Sequence, residues 1–392
     1  MYKVCVVTAT RAEYGLLRPL LIKLKDNSEV ELCLVVTGTH LSEKFGNTQK
    51  EIEEDGFRDF IRVDIPLNDD SKKGMGIATG VITEKLSEVF TKTSPDIVII
   101  LGDRYEMLGV AIAAHLVGVP IAHMCGGDVT EGAVDDAIRH CITKLSYLHF
   151  PGCEESAKRI IQMGENPDRV FNVGEPGIEN CLNMCLLERD ELAKQLNFDK
   201  INGDFCVVTF HPVTMEDNTA EEQVYELIKA MDHFSQMSYV ITKANADAGG
   251  RIINDIWDKE ALKRKQWLVV SSLGMLRYLS AVKNSKLVIG NSSSGLVEVP
   301  AFKIPTINIG DRQKGRTSAE SVINCAPKAS AIIEAIEQGL SEGFRMSIKD
   351  IKLPFGDGST SEKIMEVLMD YLKNGKIKPE KKFYEIRYDI GE

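Results

Sequence analysis

Short, continuous apolar runs alternate with longer amphipathic segments in the first part of the chain. Runs of this kind, rich in β-branched residues, are typical of strands buried on both faces of a parallel sheet. They lie at residues 3–8, 31–37, 96–101, 120–123 and 148–150. The segments between them have helical length and periodicity and predict helices at 16–25, 79–92, 105–117 and 133–144. The order strand, helix, strand indicates βαβ units.

A second alternating series begins near residue 204. Its predicted strands are 205–210, 238–242, 267–270, 286–289 and 306–309, with helices at about 220–235, 274–284 and 294–301. We therefore predict an α/β protein with two Rossmann-like domains, residues 1–175 and 176–361. A final helix at 361–373 opens the segment 362–392, which we expect to pack back on the first domain. Ligands of such sheets bind outside the carboxyl ends of the strands, so we expect the active site in the cleft between the domains.

Composition narrows the possible functions. The 392 residues are 43% hydrophobic and 27% charged, as in ordinary globular proteins. The formal charge is −11, and the acidic residues are spread along the chain. Nucleic acids and anionic membranes both require a basic surface, so we expect neither as a partner. The longest apolar stretch, 108–125, is interrupted by two histidines and a proline and is predicted to be a buried helix and strand.

The nine cysteines are scattered, and no two form a C-x-x-C pair. Disulfide frameworks and zinc sites both need organised spacing, so we expect free thiols and no metal. The N-terminus runs straight into a strand without an export signal. Both features favour a cytoplasmic location.

Two strand-to-helix turns are candidate phosphate sites. The first, TATRAEYG at 8–15, offers backbone N–H groups and the guanidinium of Arg11; a surface ion pair is the alternative role of Arg11. The second, GNSSSG at 290–295, presents Ser292 and Ser293 to a diphosphate and is followed by Glu298, which could accept from ribose hydroxyls. A simple helix cap is the alternative there. No G-x-G-x-x-G fingerprint is present, which weakens a dehydrogenase interpretation.

Acidic residues follow successive strands of the first domain. Asp103 and Arg104 follow 96–101, and Asp128 follows 120–123; Asp135 and Asp136, with Arg139, come next. Carboxylates that converge on one sheet edge repel each other, so one of them can keep a proton near neutral pH and serve as an acid beside a base. The alternative for each residue taken singly is structural: Asp103 and Asp128 would cap helices, and Asp135 and Asp136 would lie in a solvated first turn.

Two histidines also follow strands. His211 lies in FHPVT after 205–210, and His40 lies in TGTH after 31–37. A hydrogen-bonded turn residue is the alternative for both. Neither has a second histidine or cysteine at the close spacing of a zinc site.

Seven motifs in order resemble the UDP-N-acetylglucosamine 2-epimerase family. They are TATRAEYG, LGDRYE, HMCGGDVTEGAVDDAIRH, FHPVT, NADAG, GNSSSGLVEVP and GDRQKGR, and they run from about residue 3 to 320. The likeness is to the hydrolysing branch of the family, which supplies sialic-acid-type synthesis.

This resemblance implies a glycosyltransferase-B-like fold and a reaction without a cofactor. Loss of the C2 proton and of UDP would give a 2-acetamidoglucal, and addition of water would give N-acetylmannosamine (ManNAc). The expected catalytic residues are Asp103, Asp128, Asp135, Asp136 and His211. The expected substrate and UDP ligands are Arg11, His40, Arg104, Arg139, Asn245, Ser292, Ser293, Glu298 and Arg312. The family also implies a homodimer or homotetramer.

One departure leaves the substrate open. The chain has Gly-Gly-Asp128 where the sialic-acid enzymes lead us to expect Gly-Gly-Glu. The shorter side chain favours either a compensating change or another sugar, UDP-2,4-diacetamido-2,4,6-trideoxyglucose. The competing classes are a glycosyltransferase of the same architecture and a catalytically silent nucleotide-sugar sensor, because fold does not determine function.

Overall fold

The protein forms two compact units in a computed structural model that describes residues 1–69, 71–130, 134–212, 220–244, 250–378 and 380–386. The first unit comprises Met1–Asn180 together with the chain from Phe355 onward. The second unit is Cys181–Pro354. None of the helices in these ranges has the length and apolar character that a membrane crossing requires.

The first unit contains a six-stranded parallel sheet. Its strands are β1 (Tyr2–Thr8), β2 (Val30–Thr37), β3 (Phe60–Val63), β4 (Ile97–Leu101), β5 (Ile121–Met124) and β6 (Leu148–Phe150), in the spatial order β3-β2-β1-β4-β5-β6. Its first helices are α1 (Arg11–Asp26), α2 (Gln49–Glu54), α3 (Lys72–Thr93), α4 (Tyr105–Val117), α5 (Val134–Leu145) and α6 (Glu154–Gln162). This strand order is the doubly wound Rossmann arrangement.

The second unit repeats the same arrangement. After α7 (Pro176–Asn183), its strands are β7 (Phe205–Thr209), β8 (Ser238–Thr242), β9 (Trp267–Val270), β10 (Leu287–Gly290), β11 (Thr306–Ile309) and β12 (Val322–Cys325), in the spatial order β12-β11-β10-β7-β8-β9. Its helices are α8 (Arg189–Leu196), α9 (Ala220–His233), α10 (Gly250–Ala261), α11 (Gly274–Asn284), α12 (Ser294–Val297), α13 (Ala329–Leu340) and α14 (Glu342–Ser347). Short 3₁₀ turns lie at Gly38–Leu41, Glu43–Phe45, Pro167–Arg169, Asp199–Asn202 and Val299–Phe302.

The last helix of the chain, α15 (Thr360–Lys373), belongs to the first unit. Ile364 and Leu368 on α15 are fully buried in the same apolar cluster as Leu17 and Leu21 of α1. The chain therefore returns to the first sheet after it has completed the second.

The predicted fold class, two Rossmann-like domains, is confirmed, but the sequence pattern missed the edge strands β3 and β12. β3 has the sequence FIRV, with Arg62 exposed, and β12 is buried at only one of its four positions. A polar residue interrupts the apolar run in both of these edge strands, so the pattern that marks buried parallel strands is weak there.

The first helix begins at Arg11 instead of the predicted residue 16. Thr10 caps α1 by accepting from the Glu13 N–H, while Glu13 accepts from the Ala9 N–H. A Thr with a Glu three residues later is the sequence signature of a helix start. That signature places the end of the TATRAEYG segment, from Arg11 onward, in the first turns of the helix, after Thr8 has closed β1.

Candidate functional site

The candidate residues lie beside the point where the strand order of each sheet reverses. In the first unit this point falls between β1 and β4, which are followed by Arg11 and Asp103. In the second unit it falls between β7 and β10, which are followed by His211 and Ser292. Connections on the two sides of such a point diverge and leave a crevice at the strand ends. Each sheet therefore has a crevice at the carboxyl ends of its strands in which a ligand can bind.

Arg139 holds the acidic residues of the first unit together. Its Nη2 donates to the Asp103 carboxylate and, at 3.2 Å, to the Thr130 hydroxyl. Its Nη1 donates to the Asp128 carbonyl at 2.8 Å and to Asp136 Oδ1 at 3.4 Å. The Arg139 side chain is 5% exposed, so these charge-assisted bonds lie largely away from water. The structure thus brings four of the predicted residues into one hydrogen-bonded cluster.

Asp135 and Asp136 open helix α5 but have different surroundings. Asp136 Oδ1 accepts from the Thr130 N–H at 2.6 Å, and Asp136 Oδ2 lies 3.6 Å from His140 Nε2. Asp135 is exposed, and desolvation of its carboxyl, together with the negative charge of Asp103, raises its pKa. Asp135 is therefore better suited than an ordinary carboxyl to hold a proton in this acidic group.

Asp128 is held from another helix. Its Oδ1 accepts from the Ser156 hydroxyl of α6 at 2.5 Å. Ser156 is fully buried, and its Oγ lies 3.2 Å from Cys153 Sγ. Ser156 is not recognisable from sequence alone, because nothing in EESAKRI distinguishes this serine from a core residue.

Arg104 belongs to a second acidic group. It donates to both oxygens of Glu106, at 3.0 and 3.1 Å, and its Nε lies 3.7 Å from Glu13 Oε1. Glu106 is fully buried and Glu13 is 5% exposed. Burial is the main cause that raises the pKa of Glu13, to about 7. Glu13 and Glu106 were missed as site candidates, although Thr10-x-x-Glu13 was readable as a capping pair.

Arg11 and His40 flank the ends of β1 and β2. The Arg11 side chain is half exposed and forms an ion pair with Glu51, the alternative that the sequence left open. The His40 ring is buried, with Nε2 3.0 Å from Thr8 Oγ1 and Nδ1 2.8 Å from Thr48 Oγ1. Burial lowers the pKa of His40 to about 4. Its predicted contact with substrate stays a prediction. In the structure, His40 connects Thr8 at the end of β1 with Thr48 at the start of α2.

In the second unit, Asn291 joins three of the motifs. Its side chain brackets the His211 backbone, because Oδ1 accepts from the His211 N–H at 2.7 Å and Nδ2 donates to the His211 carbonyl at 2.8 Å. The Asn291 carbonyl accepts from Arg312 Nη1 at 3.1 Å and from Gln313 Nε2 at 2.9 Å. FHPVT, GNSSSG and GDRQKGR therefore meet at one buried residue. His211 and Arg312 are brought together, and Asn291 and Gln313 are additions to the predicted set.

The serine segment follows a position that only glycine can occupy. Gly290 has φ 141°, and a Cβ there would lie 1.9 Å from the Thr209 carbonyl oxygen. The chain can therefore pass close to β7 before it turns outward. Ser292 and Ser293 follow after Asn291 and are half buried, and Ser292 Oγ accepts from the Ser294 N–H at 3.4 Å.

Glu298 lies one turn further along and is tied to Ser294. The Ser294 hydroxyl donates to Glu298 Oε2 and accepts from the Tyr278 hydroxyl at 2.8 Å. Burial raises the pKa of Glu298, and the bond from Ser294 opposes that shift in part. The predicted contact of Glu298 with the ribose stays a prediction. Asn245, in NADAG, lies outside the described residues.

An open cavity of about 590 Å³ lies beside Gln313, the residue that donates to the Asn291 carbonyl. Leu296, Gln313 and Arg316 contribute to its lining. Its volume is within the range of small-molecule sites. The second unit thus has a serine-containing loop after Gly290, the basic side chain of Arg316 and a cavity large enough for a small ligand.

Known proteins resemble this chain over nearly its whole length. A hydrolysing GDP/UDP-N,N'-diacetylbacillosamine 2-epimerase from Campylobacter jejuni is 40% identical and aligns with 88% of this chain and 89% of its own. Polysialic acid biosynthesis protein P7 from Escherichia coli is 38% identical, with 98% of each chain aligned. These relatives bear out the resemblance to the hydrolysing branch.

The fold is also that of solved enzyme structures. The UDP-GlcNAc 2-epimerase from Neisseria meningitidis, crystallised with UDP-GlcNAc, superposes with a TM-score of 0.79 at 18% identity and covers 94% of this chain and 100% of its own. The expected glycosyltransferase-B-like class is thereby confirmed. The profile of the family described as UDP-N-acetylglucosamine 2-epimerase matches residues 22–369. On the combined evidence of motifs, fold and relatives, the chain belongs to the UDP-N-acetylglucosamine 2-epimerase family.

Proposed function

We propose that this enzyme converts UDP-N-acetylglucosamine (UDP-GlcNAc) and water to ManNAc and UDP. The observation that carries the proposal is the Arg139 cluster. In it, Arg139 donates to Asp103, to Asp136 and to the Asp128 carbonyl at one edge of the first sheet. Removal of a weakly acidic C2 proton needs a positioned carboxylate. The 38% identity to a polysialic acid biosynthesis protein supports the same pathway type.

The chemistry divides between the two units. In the first, a carboxylate removes the C2 proton as the C1–O bond to UDP breaks, which gives a 2-acetamidoglucal. Water then adds at C1, and a protonated carboxyl returns a proton to the opposite face of C2. Asp135 suits the donor role because its pKa is raised. Asp103 and Asp128 are the candidate bases.

The second unit supplies the groups that stabilise the departing diphosphate. Ser292 and Ser293 follow the tight passage at Gly290, and Arg312 is fixed against Asn291. Hydrogen-bond donors and a guanidinium directed at the leaving group lower the barrier because charge develops there in the transition state. We assign His211 and Glu298 to the same UDP site, with Glu298 on the ribose.

The test is NMR in D₂O with purified enzyme and UDP-GlcNAc. We expect phosphorus signals of free UDP together with ManNAc that carries deuterium at C2. Asp103→Asn and His211→Ala should each reduce turnover at least 100-fold while the protein stays folded. Retention of the original C2 hydrogen in a product transferred to an added acceptor would contradict the proposal and favour a glycosyltransferase.

A second substrate is favoured by Asp128 and by the 40% identical relative. That relative is named for N,N'-diacetylbacillosamine, the 2,4-diacetamido sugar type, and the side chain of Asp128 is one methylene shorter than the expected Glu. If UDP-GlcNAc stays intact, UDP-2,4-diacetamido-2,4,6-trideoxyglucose is the next substrate to assay. Intact substrate in both assays, with UDP still bound, would favour the sensor interpretation.

Two further properties belong to the proposal. We place the enzyme in the cytoplasm, which its nine unpaired thiols support. We also propose a homodimer or homotetramer, and sedimentation velocity measured at several protein concentrations tests it. A single monomeric species at all concentrations would contradict that assembly.

A further inference from the structure

The loop that carries Asp128 is fixed to the first turns of α6 at three points. Ser156 Oγ donates to Asp128 Oδ1 at 2.5 Å, and Arg159 Nη1 donates to the Gly127 carbonyl at 3.2 Å. Gly127 itself has φ 83°, and a Cβ there would lie 2.3 Å from the Ser156 carbonyl oxygen. The backbone of α6 therefore sits directly against the loop, and only glycine permits that approach.

The Ser156 hydroxyl is itself held in place. The residue is fully buried, and Cys153 Sγ lies 3.2 Å from its Oγ. A buried hydroxyl with few alternative partners keeps one direction, since turning away would leave polar atoms unsatisfied. Its bond to Oδ1 therefore fixes one of the two oxygens of the Asp128 carboxylate.

We propose that Ser156 is the positioning residue of Asp128. Its hydrogen bond fixes the side-chain torsions of Asp128 and hence the position of the carboxylate. An Asp side chain has fewer rotatable bonds than Glu, so it can compensate less for an error in position. A shift of about 1 Å in a reacting group can cost about 100-fold in rate. The inference rests on the proposed function, because Asp128 is taken to act on the sugar.

The first measurement tests whether the bond exists in solution. Ser156→Ala, Asp128→Ala and the double variant form a cycle in which the melting temperature is measured for each. We expect Ser156→Ala to lower the melting temperature by a few degrees alone and by clearly less in the Asp128→Ala background. Equal losses in both backgrounds would overturn the proposal. This cycle needs no activity, so it reports even when a variant is inactive.

The second measurement tests the consequence for the reaction. At a temperature where Ser156→Ala is fully folded, we expect kcat for the UDP-sugar to fall about 10- to 100-fold, with KM and the affinity for UDP within twofold of wild type. Ser146→Ala is the matched control, because Ser146 is also fully buried in the first unit and its hydroxyl donates to the Ile142 carbonyl. That control should keep wild-type kcat.

The outcomes separate this inference from the proposed function. Wild-type kcat in Ser156→Ala, or a loss confined to stability, would overturn the positioning role even if the melting cycle shows coupling. Failure of the wild-type enzyme to release UDP from either UDP-sugar would instead contradict the proposed function. A selective loss of kcat with a coupled melting cycle supports both.

Discussion

Arg139 donates to the carboxylate of Asp103, a residue 36 positions earlier in the chain. Asp103 follows β4, whereas Arg139 lies in the second turn of α5. The pair joins the ends of two neighbouring βα units at the ligand edge of the first sheet. It also places a nearly buried cation among several carboxylates, where the cation offsets their mutual repulsion.

Replacing Arg139 by Lys should separate geometry from charge. A lysine keeps the positive charge but loses the planar fork that reaches several acceptors at once. We expect kcat to fall about 100-fold and the free energy of unfolding to fall by about 2 kcal/mol, measured by steady-state kinetics and urea denaturation. Arg62→Lys is the control, because Arg62 makes an exposed pair with Glu53. Wild-type kcat in Arg139→Lys would show that charge alone is enough.

Asn291 should control the affinity of the second unit for UDP. Asn291→Asp keeps the shape but replaces the Nδ2 donor by a carboxylate oxygen that faces the His211 carbonyl. Because this repulsion displaces the turn that bears His211, we expect UDP affinity, measured by calorimetry, to fall at least tenfold.

Asn284→Asp provides the comparison for that variant. Asn284 Nδ2 also donates to two backbone carbonyls, those of Leu187 and Ser280, but it lies at the end of α11 and outside the predicted motifs. This variant should lose stability and keep UDP affinity. Equal affinity losses in the two variants would mean that Asn291 acts only through general stability.

The buried ring of His40 predicts a specific dependence of stability on pH. In the unfolded chain the ring takes up a proton near pH 6.5, whereas in the folded protein its pKa is about 4. Between these values the unfolded state binds more protons, so His40 makes the protein less stable as the pH falls. His40→Gln should remove this term. We expect wild type to lose about 2 kcal/mol relative to His40→Gln between pH 7 and pH 4.5.

The measurement is urea unfolding at several pH values, taken as a difference between variants so that other titrating groups cancel. His233→Gln is the control, because His233 is exposed on α9. Its curve should run parallel to that of wild type. A constant difference between wild type and His40→Gln over the pH range would contradict the assignment.

The segment after α15 should stabilise the first unit through Lys381. Its Nζ lies 2.8 Å from Glu165 Oε2 and donates to the carbonyls of Lys144 and Ser146. Burial opposes ionisation of Glu165, but its bonds to His149, Lys144 and Lys381 prevail and lower its pKa to about 2. Lys381→Met should therefore cost about 2 kcal/mol of unfolding free energy.

Lys382→Met is the neighbouring control for Lys381. Lys382 is exposed, so its replacement should change the unfolding free energy by less than about 0.5 kcal/mol. Thermal and urea unfolding measure the loss of stability in each of the two variants. Equal stability of both variants would show that the segment adds nothing through Lys381.

Some of the site could be predicted because its residues follow strands. Asp103, Asp128 and His211 each stand just beyond an apolar run, and parallel strands bring their carboxyl ends to one edge. The partners could not be predicted in the same way. Nothing in the local sequence marks Ser156 or Asn291 as partners of these residues. Their importance comes from hydrogen bonds to Asp128 and His211, which lie 28 and 80 positions away in the chain.

The sequence by itself determined the class of fold, ten of the twelve strands with about half of the helices, and the family. Those properties depend on local periodicity and on motifs that are continuous along the chain. Only the tertiary structure decided that Arg139 gathers the carboxylates, that Asn291 joins three motifs and that His40 is buried with both ring nitrogens beside threonines. The physical reason is that hydrogen-bond geometry and desolvation depend on distances between remote segments, which hydrophobic patterning does not specify.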